Sequence, residues 1–296
     1  MASTTPLYGI VGCFGCLTNT FALYILFYLP NRFKTTNLLI INQSIIDLLS
    51  SLLTLCQFLD PNITTRLPES EFAADFVCKF WSCKYLLWSS VHTSTSNLVV
   101  LTVYRYFAVV YPLKYNVMKE KVSMKLIVLL IPWLSGFGFT LIWLASHMVK
   151  DGECILSWQN YTFEVTMGIM DLFYILIIPI TIMIFVYVKI FHALRSEVGD
   201  GLSSIRSTIS PRRLNIIKTL VMVSVTYIIC WTPNQLAYVL ISIDNTIIVY
   251  KGTLHQITII MAMTNSGINP IIYTFKYIDF ITGVPKTLPF LFKMFS

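Results

Sequence analysis

The chain alternates between long, unbroken apolar runs and short polar connectors. Seven runs stand out, at about residues 7–29, 37–59, 81–108, 124–147, 166–190, 217–242 and 253–275. Each is long enough to carry a helix across about 30 Å of hydrocarbon. The runs are continuous and do not alternate with a period of two, which selects helices over the strands of a barrel. No connector has room for a separate soluble domain, and no repeat or low-complexity tract interrupts the pattern. Residues 1–296 therefore read as one all-α membrane domain, a seven-transmembrane helix bundle. A short amphipathic eighth helix is expected at Phe275–Ile281, lying on the membrane surface.

Composition excludes the soluble alternative. The 296 residues are 56% hydrophobic and 12% charged, against about a quarter charged in soluble domains. The charge is sorted by side. Arg32, Lys34, Lys114, Lys119, Lys121, Arg195, Arg206, Arg212, Arg213, Lys276 and Lys286 fall on one side of the membrane. The other side has Arg66, Lys79, Lys150 and Lys251, among Asp60, Glu69, Glu71, Asp75, Asp151 and Glu153. The positive-inside rule then puts the N-terminus outside and the C-terminus in the cytoplasm of a multi-pass plasma-membrane protein. The net charge of +7 is a topology signal, so nucleic acid is not read as a partner; anionic membrane lipid is. The first run has no basic leader or cleavage site before it and is expected to act as an uncleaved anchor. Two glycosylation sequons, at Asn62 and Asn160, fall in outer connectors. A third match, at Asn42, lies inside the second run, out of the enzyme's reach.

Asp47 sits in the middle of the second run. A carboxylate there costs roughly 2.5–3.5 kcal/mol on insertion scales and needs polar company. Asn19, Ser94, Asn265 and Asn269 lie at the middle of other runs. They suit a hydrogen-bonded network, a cation held by oxygen ligands, or polar adhesion between helices. Pro132, Pro179, Pro233 and Pro270 kink four of the runs. Kinked helices suit a bundle with two packings.

The motifs point to a family. The sixth run reads Cys230-Trp231-Thr232-Pro233, and the seventh reads Asn269-Pro270-Ile271-Ile272-Tyr273. The third ends Tyr104-Arg105-Tyr106, with Pro112 following. Asn19, Asp47, Trp133, Pro179 and Tyr187 mark the remaining runs. Over about residues 10–280 the set resembles the rhodopsin-like G-protein-coupled receptors. The resemblance implies that Arg105 engages a heterotrimeric G protein when the sixth helix swings outward, and that Tyr187 and Tyr273 turn inward to support that state. Trp231 resembles the toggle beneath the ligand pocket, and Pro233 the hinge. Asp47, Ser94, Asn265 and Asn269 match the family's allosteric sodium site, where sodium and agonist oppose each other. No other cofactor is expected.

Two positions depart from the family pattern. Tyr104 stands where an acid usually precedes the arginine, and Arg213 where an acid often lies at the foot of the sixth helix. Both resting-state ion pairs are therefore missing. Raised basal signalling is the favoured outcome, with weakened coupling, as in a decoy receptor, the competing one. A channel or transporter would more often show inverted repeats, which are not seen here.

Cys78 and Cys154 both face the oxidising side. The resemblance implies a bridge between them. Cys83 competes, because the family's cysteine lies about two positions closer to Arg105 than Cys78 does. The stretch Val77-Cys78-Lys79-Phe80-Trp81 resembles the invertebrate peptide-receptor-like branch and favours Cys78. Cys13 and Cys16, with Gly9, Gly12 and Gly15, read as small packing residues of the first helix.

The ligand pocket is expected between the outer halves of the helices, with Gln57, Trp88, Asp171, Asn234, Gln235, Tyr238, His255 and Gln256 as candidates. Amine receptors need an aspartate 18 positions before the key arginine, where this chain has Leu87. Opsins need a lysine six residues before the seventh-helix Asn-Pro, where this chain has Met263. A peptide with a basic or amidated group fits the amides, aromatics and acidic outer loops best. The four histidines are scattered without metal-site or hydrolytic spacing, so no enzyme is read. On the inner face, Arg105, Pro112-Leu113-Lys114, Arg212, Arg213 and Lys218 would surround the G protein.

Overall fold

The computed structural model describes residues 4–29, 32–59, 67–119, 121–158, 160–199, 211–244, 246–250 and 252–276. Within them the seven expected spans are all helical. They run Thr5–Tyr28, Thr35–Leu59, Tyr85–Val110, Val122–Ala145, Tyr161–Gly199 (with a π-helical turn at Phe173–Ile177), Pro211–Ile243 and Thr253–Lys276. Four stretches are long and apolar enough to cross a membrane by themselves: Thr5–Tyr28, Thr35–Cys56, Val122–Ala145 and Tyr161–Ala193. The third, sixth and seventh spans are equally long but line their inner faces with Ser, Thr, Asn, Gln and His.

The spans close into a ring. The first packs on the second and seventh, and the sixth on the fifth and seventh. The third touches the second, fourth and fifth, which places it at the centre. Polarity is inverted relative to a water-soluble bundle. Leu17, Leu134 and Ile229 are 72%, 73% and 60% exposed, while Asn19, Asp47, Ser89, Ser90 and Asn97 are fully buried. Apolar outer faces carry no penalty in hydrocarbon, and inward polar groups then bond one another across helices. Ser50 bonds Ser90, Ser89 bonds Thr140, and Ser135 bonds Ser96 in this way.

Small residues let backbones approach. A Cβ on Gly136 would lie 2.5 Å from the Thr93 backbone nitrogen, so the third and fourth spans meet backbone to backbone. Gly12 and Gly15 face Leu55 and Ser51 of the second span, and Gly15 also meets Gly267 of the seventh. Gly9 is only half-buried.

Three local features depart from the hydropathy reading. The third span does not start at residue 81. A short helix Glu71–Val77 and a π-helical turn Cys78–Ser82 come first. Lys84 then adopts a left-handed conformation, φ 59°, and the span restarts at Tyr85. The polar Cys83-Lys84 pair interrupts the ladder inside what is otherwise an apolar run.

The fifth span starts earlier than expected, because the Asn160 side chain accepts the Phe163 N–H at 2.8 Å as an N-cap. Its π-helical turn directly precedes Pro179. A proline supplies no N–H to the carbonyl four residues back. Here that carbonyl belongs to Ile175, and the Tyr227 hydroxyl of the sixth span donates to it instead.

The third departure is a two-stranded hairpin in the second outer loop, His147–Lys150 paired antiparallel with Glu153–Leu156. Its two-residue turn is Asp151-Gly152, with φ 53° and 78°, the left-handed pair that an Asp-Gly hairpin turn requires. The expected eighth helix beyond Lys276, and Asn62, lie outside the described residues.

Candidate functional site

At the outer end, Cys78 and Cys154 form a disulfide with Cα atoms 5.3 Å apart. Cys154 sits on the second hairpin strand, so the bridge pins the hairpin to the segment leading into the third span. The π-helical turn Cys78–Ser82 and the left-handed Lys84 separate Cys78 from the third span, which starts at Tyr85. Cys83 is buried and free, its thiol directed at the Lys79 carbonyl.

Below the bridge lies a buried clamp across three spans. His92 of the third span bonds Asp171 of the fifth, Nε2 to Oδ1, at 2.8 Å. The Gln235 amide of the sixth span donates to the other Asp171 oxygen at 3.0 Å. The second ring nitrogen of His92 faces the Trp88 carbonyl at 2.8 Å. A carbonyl can only accept, so that nitrogen carries a proton, and a second proton must lie between Nε2 and the carboxylate. The pair is therefore net neutral, as imidazolium with carboxylate or as imidazole with carboxylic acid. Phe139, Trp143 and Tyr174 surround the imidazole, with ring centroids 5.2–6.2 Å away.

The structure thus joins two of the expected pocket residues, Asp171 and Gln235, directly, and adds His92, which sequence reasoning left without a role. Its signal was its position one helical turn from Trp88 on the same face. The other candidates lie around this clamp or beyond it. Trp88 is half-buried and Asn234 is buried. The Tyr238 hydroxyl accepts from the Trp143 indole at 3.3 Å. His255 is buried with its ring 5.4 Å from Tyr250, and Gln256 accepts from the Tyr8 hydroxyl of the first span. The Gln57 side chain lies outside the described set. Leu87 is fully buried, which leaves the third span apolar where an amine's carboxylate would stand.

At mid-membrane, Asp47 accepts three hydrogen bonds. Ser94 donates to Oδ1 at 2.7 Å, and Gln43 and Asn269 donate to Oδ2 at 3.1 and 2.9 Å. The Gln43 amide nitrogen also reaches the Ser94 oxygen at 2.5 Å. The network continues through Asn97, which donates to Gln43 at 2.8 Å, and Asn42, which donates to Asn97 at 2.9 Å. Trp133 of the fourth span donates to Asn42 at 3.0 Å. Ser94 and Asn269 therefore meet Asp47. Asn19 instead donates to the carbonyls of Gly15 and Ser266, and Asn265 makes no hydrogen bond to Asp47 among those described.

Oxygen ligands suit a hard cation such as sodium, and Asp47, Ser94, Asn265 and Asn269 supply that chemistry. Their arrangement does not fit one. The Gln43 amide nitrogen bridges Asp47 Oδ2 and the Ser94 hydroxyl, which is itself bonded to Asp47 Oδ1, and both carboxylate oxygens already face N–H or O–H donors.

At the inner end, Arg105 is buried. Tyr104 packs edge-on against Tyr115, ring centroids 5.3 Å apart, on the short loop helix Pro112–Met118. The Tyr187 hydroxyl bonds Ser224 of the sixth span at 2.6 Å, with Thr102 also in hydrogen-bonding reach. Tyr273 is buried. Trp231 is buried one turn above Tyr227, ring centroids 6.1 Å apart, with Pro233 two residues further out. Lys218 is exposed, and the side chains of Arg212 and Arg213 lie outside the described set.

A ring of seven spans, a pinned outer loop, a buried polar core and an inward-facing arginine flanked by tyrosines together define a heptahelical signalling receptor. Residues 18–273 match the model of the 7 transmembrane receptor (rhodopsin family), and the chain belongs to that family of multi-pass membrane receptors, the class A G-protein-coupled receptors. Curated relatives include the octopamine receptor beta-2R of Chilo suppressalis, 26% identical over 88% of this chain and 73% of its own length. The QRFP-like peptide receptor of Branchiostoma floridae is 24% identical over 91% of this chain and 73% of its own. The allatostatin-A receptor of Bombyx mori is 23% identical over 95% and 78%.

Proposed function

We propose that this receptor binds a peptide carrying a basic or amidated group at its outer face and passes the signal to a heterotrimeric G protein inside. The observation that carries the reading is the His92–Asp171–Gln235 clamp. It places one buried carboxylate at the junction of the third, fifth and sixth spans, where a ligand's cationic or amide group can take over a bond that His92 or Gln235 now makes. Leu87 in the third span argues against an amine ligand, although one relative is an octopamine receptor. A relative matched over 91% of this chain is a peptide receptor by name. No catalytic step enters this reading.

The orientation follows the basic side: N-terminus outside, at the plasma membrane, with Asn160 available for glycosylation and the basic inner loops against anionic lipid. Tyr187 and Tyr273 stand at the family's switch positions and support coupling with a raised basal level. No acid stands at position 104 to hold the arginine at rest.

Cells expressing the receptor with a promiscuous G protein should respond to a basic or amidated peptide from a synthetic library, with guanine-nucleotide exchange as the readout. Tyr104→Asp should lower exchange in the absence of peptide. A receptor that reaches the surface yet shows no exchange, basal or stimulated, with any G protein would overturn the reading.

A further inference from the structure

The geometry points to Gln43 as a built-in replacement for a cation: its amide occupies the Asp47–Ser94 pair and makes this receptor insensitive to sodium. The pair is where a sodium ion would have to anchor. Asp47 supplies the carboxylate, and Ser94 a hydroxyl bonded to it at 2.7 Å. A cation there needs a lone pair from each. The Gln43 nitrogen instead presents N–H to both, at 3.1 Å from the Asp47 oxygen and 2.5 Å from the Ser94 oxygen.

The amide cannot easily step aside. Its own carbonyl accepts from Asn97 at 2.8 Å, and Asn97 is held in turn by the Leu39 carbonyl and by Asn42. Gln43 is 1% exposed and Asn97 fully buried, so breaking either bond strands a buried polar group. The amide oxygens of Asn265 and Asn269 are buried without a hydrogen-bond partner and would suit a cation. Without the carboxylate they have no charge to offer it. Gln43 thus supplies from within the chain what a dissociable ion would supply from solution: donors to a buried carboxylate, at a concentration that never varies.

The test reads stability, so it stands apart from the ligand and coupling readings and does not depend on them. Purified receptor in lipid nanodiscs is heated in sodium chloride or in choline chloride of equal ionic strength. A thiol-reactive fluorophore reports exposure of the buried, free Cys83 and Cys230. The wild-type curves should coincide. Gln43→Leu should gain a saturable stabilisation specific to sodium, about 11-fold in the folded-to-unfolded ratio at ten times the dissociation constant. That gain should vanish when Asp47→Asn is added. Gln43→Met, closer in length, serves where the leucine variant does not fold.

Sodium-23 relaxation on the wild type provides an independent reading, with no receptor-specific broadening expected. A sodium-specific stabilisation or broadening of the wild type that Asp47→Asn abolishes would overturn the proposal. So would a folded Gln43 variant that remains indifferent to sodium.

Discussion

His92 and Asp171 lose different amounts of stability when each is removed alone, and the inequality follows from the clamp. Asp171 keeps its charge-bearing group 9% exposed, with His92 and Gln235 as its partners. His92→Leu leaves that carboxylate buried with a single neutral donor. Stranding one member of a buried ion pair typically costs about 3–5 kcal/mol. Asp171→Asn is milder. The imidazole keeps its bond to the Trp88 carbonyl and loses one charge-assisted hydrogen bond, about 1.5–3 kcal/mol. In the double variant His92→Leu/Asp171→Asn no group is left stranded, so the loss should be smaller than for His92→Leu alone. The assay is thermal unfolding of the four proteins side by side, read by thiol exposure at Cys83 and Cys230. The order of midpoints should be wild type, then Asp171→Asn, then the double variant, with His92→Leu lowest. Equal single losses that simply add in the double variant would refute the coupled pair.

Three further outcomes follow. Gly136→Ala forces a methyl to within 2.5 Å of the Thr93 backbone nitrogen and should cost about 1–3 kcal/mol, lowering the unfolding midpoint where alanine at the uncrowded Gly138 does not. Asn160→Asp should remove any glycan at this site yet keep the N-cap, whereas Asn160→Gln should remove both and lose about 1 kcal/mol; glycosidase-sensitive mass and unfolding midpoint separate the two effects. Cys154→Ser opens a bridge spanning 76 residues, for which a free-chain loop sets a ceiling of about 4.5 kcal/mol. Membrane-inserted helices lower that figure by restricting the unfolded chain. Alkylation without reductant should leave Cys78 and Cys154 unmodified in the wild type, while Cys83 reacts once the protein is unfolded.

The seven spans and the Trp231, Pro233, Pro270 and Arg105 landmarks were legible because each rests on local pattern: an apolar run, or a residue type at a fixed offset. Asp47 with Ser94 and Asn269 was legible for a related reason, since a lone mid-membrane acid has few possible companions. His92 with Asp171 was not. The two lie 79 positions apart on different spans, and their meeting depends on helix rotation and height that hydropathy does not resolve. Gln43 was hidden differently. It stands four residues before Asp47, on the same helix face, yet inside a run read for its apolar content. Lys84 escaped because a left-handed lysine has no sequence signature, whereas the Asp151-Gly152 turn has one that went unused.

The chain of side chains from Trp133 to Asp47 has a polarity. Indole N–H points at Asn42, Asn42 at Asn97, Asn97 at Gln43, and Gln43 at the carboxylate. An amide can be turned end for end, and nothing in an isolated asparagine says which way it faces. Here both termini decide. Indole can only give a proton and a carboxylate can only take one, so the three amides between them have a single self-consistent orientation. Four helices (the fourth and second, the third and, through Asn269, the seventh) are thereby set by one arrow. Replacing Trp133 with phenylalanine would remove the arrow's tail and strand the Asn42 oxygen, leaving the carboxylate end and the Leu39 carbonyl to hold the direction alone.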